Sequence, residues 1–70
     1  MDKVQASMAG SVWKVLVGVD DQVEEGQDVV ILESMKMEIP IAAEVTGTVK
    51  AVHINEGDFV NEDDVLVEIE

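Results

Sequence analysis

Residues 47–54 read GTVKAVHI, and 37 positions earlier residues 10–17 read GSVWKVLV. Both open on glycine and a small hydroxyl residue, then place valine at the third and sixth positions. β-Branched residues dominate, and rough alternation runs through Val49, Ala51 and the residues between them, the pattern of a strand with one buried face. DVVILE (Asp28–Glu33) and DVLVEIE (Asp64–Glu70) repeat the signal. Nowhere does a 3.6-residue periodicity persist long enough for a helix.

Sliding the chain along itself by 37 residues extends the match. Ala6 falls on Ala43, Asp21 on Asp58, Val23 on Val60, Glu25 on Glu62, Val30 on Val67 and Glu33 on Glu70. With Gly10, Val12 and Val15 on Gly47, Val49 and Val52, nine identities run in order without a gap. A repeat of this length is one supersecondary unit copied. Neither half can bury its apolar face alone, so two small sheets packed face to face about a pseudo-twofold axis are expected. Turns are signalled at Gly18–Asp21, Glu24–Gln27, Asn55–Asp58 and Asn61–Asp64. The chain reads as all-β, one domain over residues 1–70.

Composition narrows the function. At 70 residues any core is small, and a substrate-enclosing pocket would compete for the same apolar residues. Sixteen acidic residues against four lysines give a net charge of −12, which repels phosphate backbones and anionic lipid. The acidic surface reads first as a solvated face that keeps the protein monomeric, and second as a face for a basic partner. There is no cysteine, so disulfides, thiol chemistry and zinc–thiolate sites are excluded. The N-terminus MDKVQASMAG lacks the apolar core of a signal peptide, and no apolar run is long enough to span a membrane. A cytoplasmic protein is expected.

The joint between the halves falls at Ser34–Met37. There ESMKME, residues 33–38, must turn strand Val29–Glu33 into strand Glu38–Ala43, with Lys36 on a β-turn clear of the barrel. The tip forgoes the Asn-Gly or Asp-Gly that two-residue hairpins prefer, so its side chains are needed for something else. An exposed lysine is most often only a solvated charge, yet its amine can be acylated at the end of a flexible stem. Activation in place would need an apolar wall or a neighbouring cation, and Lys36 has Glu33 and Glu38 instead. Lys36 is therefore a poor catalytic amine: from the residues alone it reads first as a solvated lysine at a loop tip, and second as the substrate of an enzyme that deprotonates it. Met35 and Met37 are soft thioethers suited to contacting several surfaces in turn. With Met8 they also offer Cu(I) donors, but no cysteine or histidine is near in the sequence.

ESMKMEIP resembles the attachment motif of biotinyl domains, whose modified lysine lies within Met-Lys-Met. GTVKAVHINEGDFV (Gly47–Val60) and VEEGQDVVILES before the motif are similar to the flanking segments of biotin-dependent carboxylases. The likeness runs from about Val4 to Glu70 and extends to free-standing bacterial biotin/lipoyl attachment proteins. It implies a flattened β-barrel of two four-stranded antiparallel sheets with quasi-twofold symmetry and the modified lysine on a protruding hairpin. It implies that a biotin protein ligase biotinylates Lys36, and that the carrier then moves carboxybiotin between biotin carboxylase and carboxyltransferase active sites. Met35 and Met37 would assist recognition and presentation, and Glu33, Ser34 and Glu38 would be read by the ligase. Gly10, Gly26, Gly47 and Gly57 resemble the family's turn glycines, where positive φ is often needed. Ser34 stands where many members have alanine. Residues 1–70 contain neither the proline-rich linker nor the thumb insertion of full-length acetyl-CoA carboxylase carriers.

Lipoate is the rival cofactor, through a lipoate-attaching enzyme acting on the same lysine or through dual modification. Lipoyl domains usually present Asp-Lys-Ala, so biotin is favoured. A second function class is an unmodified acidic interaction module that docks a basic enzyme through its methionines. Enzyme readings fare worse: His53 is the only histidine, with no partner arrangement for a general base. The acidic pairs Asp20-Asp21, Glu24-Glu25 and Asp63-Asp64 lack calcium-loop spacing and read as turn formers. Lys3, Lys14 and Lys50 read as surface residues, and Trp13 as a partly buried strand residue or, second, an exposed partner contact.

Overall fold

A computed structural model describes residues 1–70, and all regular structure in it is β. The strands are β1 (Asp2–Gln5), β2 (Gly10–Val15), β3 (Gln22–Val23), β4 (Asp28–Ser34), β5 (Met37–Ala42), β6 (Gly47–Val52), β7 (Phe59–Val60) and β8 (Val65–Ile69). They form two four-stranded sheets, ordered β1-β8-β6-β3 and β5-β4-β2-β7, with every pairing antiparallel. The expected sandwich of two small sheets is the observed one.

The 37-residue repeat is carried by the core. Sixteen apolar residues are buried, and they divide into eight pairs 37 apart: Val4/Ile41, Ala6/Ala43, Val12/Val49, Val17/Ile54, Val23/Val60, Val29/Leu66, Val30/Val67 and Leu32/Ile69. Each half presents the same eight positions to the other. That is why neither half is a stable sheet alone.

Backbone bonds obey the same symmetry. The Gly26 N–H donates to Ala43 O at 2.8 Å, and its equivalent, the Asp63 N–H, donates to Ala6 O at 2.8 Å. The Asp20 N–H donates to Val49 O as the Gly57 N–H donates to Val12 O, both at 2.8 Å. Asp21 and Asp58 cap their turns identically, each side chain accepting from the backbone three residues earlier, Gly18 and Asn55, at 2.8 Å. The turn backbone repeats too: φ is positive at Asp20 and Gly57 and at Gly26 and Asp63. At each of these positions one half uses glycine and the other aspartate, which tolerates the left-handed region better than most residues.

One detail differs from expectation. Gly10 and Gly47 are not turn glycines with positive φ. They open β2 and β6, where a Cβ on Gly10 would lie 2.9 Å from Glu33 O and one on Gly47 would overlap Glu70 O. Close backbone approach, and not turn geometry, requires glycine there. Trp13 takes the more exposed of its two expected placements, because the β2–β4 register slips between Val12 and Lys14. This bulge leaves Trp13 and Lys14 both exposed, and β6 repeats it between Val49 and Ala51.

Candidate functional site

The β4–β5 hairpin keeps its pairing to the tip, with Leu32 opposite Ile39, Glu33 opposite Glu38 and Ser34 opposite Met37. Leu32 points into the core and anchors the hairpin's base. Beyond it the strands run past the core, and Glu33, Met35, Lys36, Met37 and Glu38 are all exposed while Ser34 is half-buried. The six residues singled out in the sequence thus lie together on one projecting element.

Met35 and Lys36 form a two-residue loop with φ of 51° and 65°. Positive φ at both central residues is the type I′ signature, the turn whose twist matches the flanking strands. Neither side chain favours it. A residue with a Cβ in this region costs roughly 1–2 kcal/mol relative to glycine, and such strain collects where the side chain itself is used.

The tip is bare of partners. Met35 is 88% exposed and Met37 57%, so neither thioether fills the core. The side-chain contacts to carboxylates lie elsewhere: Lys50 Nζ forms an ion pair with Glu70 Oε2 at 3.3 Å, and His53 Nε2 hydrogen-bonds Glu68 Oε2 at 2.9 Å. The Lys36 ammonium stands free at the end of its stem. An acylating enzyme could reach this amine without unfolding the chain, and a group added there would project into solvent. His53 is on the other sheet side, at the end of β6, with its ring against Glu68.

One supporting residue was assigned a different role from its sequence. A Cβ on Gly10 would also meet Ser34 Cβ at 3.4 Å, so Gly10 sets how closely β2 underlies the hairpin just before its tip. Its counterpart Gly47 sits against the chain's last residue, Glu70. The repeat is the signal that links the two: what Gly47 does for β8, Gly10 does for the lysine hairpin.

A two-sheet sandwich with pseudo-twofold symmetry and an unpaired lysine on a strained hairpin defines a class of attachment domain. Residues 2–69 match the family model described as biotin-requiring enzyme, and the chain belongs to this biotin/lipoyl family. It is 62% identical over 66 residues to the biotin/lipoyl attachment protein of Bacillus subtilis, covering 94% of this chain and 90% of that one. It is 50% identical over 64 residues to the biotin carboxyl carrier protein of Streptococcus mutans, covering 91% of this chain and 49% of that protein. Among solved structures, Kluyveromyces lactis urea carboxylase superimposes with a TM-score of 0.92 at 32% identity, covering 99% of this chain and 6% of that one.

Proposed function

We propose that residues 1–70 form one carrier domain, monomeric and cytoplasmic, whose Lys36 is acylated by biotin. The observation that carries this reading is the free Lys36 ammonium on a two-residue loop with left-handed backbone at both positions. Similarity to a biotin carboxyl carrier protein and to urea carboxylase supports biotin and a carboxylase partner. The methionine flanks favour biotin over lipoate.

The exposed stem of Lys36 fits a covalently attached cofactor. A biotin protein ligase takes the proton from the amine; the neutral nitrogen attacks the activated carboxyl carbon, an amide forms and the activating group leaves. Loss of the ammonium takes the net charge from −12 to −13. When bound, biotin supplies a ring nitrogen that accepts and releases a carboxyl group. The chain catalyses no step itself. Its residues tether the arm and raise its local concentration at partner sites. Met35 and Met37 give adaptable contacts to successive enzymes, while Glu33, Ser34 and Glu38 frame the lysine for the ligase. Nucleic acid and membrane surfaces are disfavoured as partners by the charge.

The test is incubation of wild-type protein and a Lys36→Arg variant with a purified biotin ligase, ATP and biotin, read by intact mass. Wild type is expected to gain one biotinyl group and the variant none. Labelling at Lys3, Lys14 or Lys50, or no labelling of wild type, would overturn the proposal. The same assay with a lipoate ligase and lipoate separates the two cofactors.

A further inference from the structure

The two halves of the sandwich form an internal control. Positions 37 apart occupy equivalent places in the fold, so folding alone asks for the same kind of residue at both. The sixteen core residues comply; the surface does not. Trp13, Leu16, Val19 and Phe59 are 44%, 48%, 57% and 66% exposed. Their equivalents are Lys50, His53, Glu56 and Gln22, all polar and all exposed. The fold therefore accepts polar residues at these four places, yet the half bearing the lysine hairpin exposes large apolar ones.

Charge breaks the symmetry in the same region. Glu70 is paired with Lys50. Its equivalent, Glu33, has Trp13 where that lysine would be and faces a second carboxylate, Glu38, directly across the hairpin. Like charges opposite one another weaken a sheet. Register gathers these groups on one outward face: Phe59, Ser11, Glu33 and Glu38 are cross-strand neighbours in a row over all four strands. At about 4.8 Å per strand the row is roughly 14 Å wide. Trp13 stands two residues along β2 from Ser11.

We propose that this face, from Phe59 across Trp13 to Glu33 and Glu38, docks the enzyme that uses the loaded arm, and that this enzyme presents an apolar contact rimmed by arginine or lysine. The proposal rests on Lys36 being the acylated residue. Lys36 is the one cation on the hairpin, and its acylation changes the summed charge of Glu33, Glu38 and Lys36 from −1 to −2. A basic partner is thereby favoured after loading. A ligase that used Trp13 and Phe59 in addition to the hairpin would hold its product more tightly than its substrate, so the consuming enzyme is the better fit for these two residues.

The test exchanges each apolar residue for its own counterpart, Trp13→Lys and Phe59→Gln, singly and together, with Gln22→Asn on the other half as control. Wild type and variants are biotinylated, checked by mass, and offered to a purified bacterial biotin carboxylase. The expected result is a KM raised on the order of tenfold in the double variant, with kcat, thermal midpoint and ligase rate unchanged, and weaker calorimetric binding of loaded carrier. An unchanged KM and affinity would overturn docking alone. A loss confined to the ligase step would assign the face to the ligase, and a wild-type dimer that the variants dissociate would assign it to a second copy; either overturns the proposal. Wild type that takes no biotin would defeat the carrier reading and this proposal with it.

Discussion

At Met35 and Lys36 the chain accepts backbone strain to hold one side chain clear of the fold. Both residues adopt positive φ, and both are exposed, so the core gains nothing from their identity. Asparagine tolerates this conformation better. A Met35→Asn variant is therefore expected to be more stable by up to about 1 kcal/mol in urea unfolding, and to accept biotin more slowly. Faster or equal biotinylation would show that the methionine is not read. The exposure of this tip was legible in the sequence, because the repeat places the joint at Ser34–Met37 and nothing there suits a core. Its left-handed backbone was not legible, since methionine and lysine carry no signal for positive φ. Tertiary pairing of β4 with β5 imposes it.

At the level of strands, glycine decides how closely β2 and β6 approach their neighbours. Gly47→Ala drives a Cβ into Glu70 O and toward the Ile69 side chain at 2.8 Å, whereas Gly10→Ala meets Glu33 O at 2.9 Å. Overpacking of this kind costs typically 1–3 kcal/mol. Both variants are expected to lower the denaturation midpoint, Gly47→Ala more. Gly10→Ala is additionally expected to slow biotinylation, because it displaces the hairpin; equal rates in the two variants would remove that role. The long strands and their repeat were readable because burial at eight paired positions imposes it on the sequence. The short β3 and β7 were not, as two residues carry no period. Nor was β1, where only Val4 faces the core. Bulges hid the alternation of β2 and β4: successive Val29 and Val30 are both buried where the β4–β5 register slips.

Across the whole molecule, sixteen carboxylates and four lysines share a surface with one lysine–carboxylate ion pair. Self-repulsion at −12 opposes the compact state, and salt screens it. Raising ionic strength from about 0.01 to 0.15 M is expected to raise Tm, by roughly 4–8 °C for each kcal/mol relieved in a domain of this size. A falling Tm would mean that the exposed pair Lys50–Glu70 outweighs the repulsion, against the small worth of such a pair. Under the proposed docking, the same acidity suits a basic enzyme on the hairpin face. The most direct test of the carrier role is the intact mass of the protein purified from its own cells, with fragmentation across residues 33–38. One biotinyl increment on Lys36 is expected; an unmodified Lys36 in cells with an active biotin ligase would contradict it.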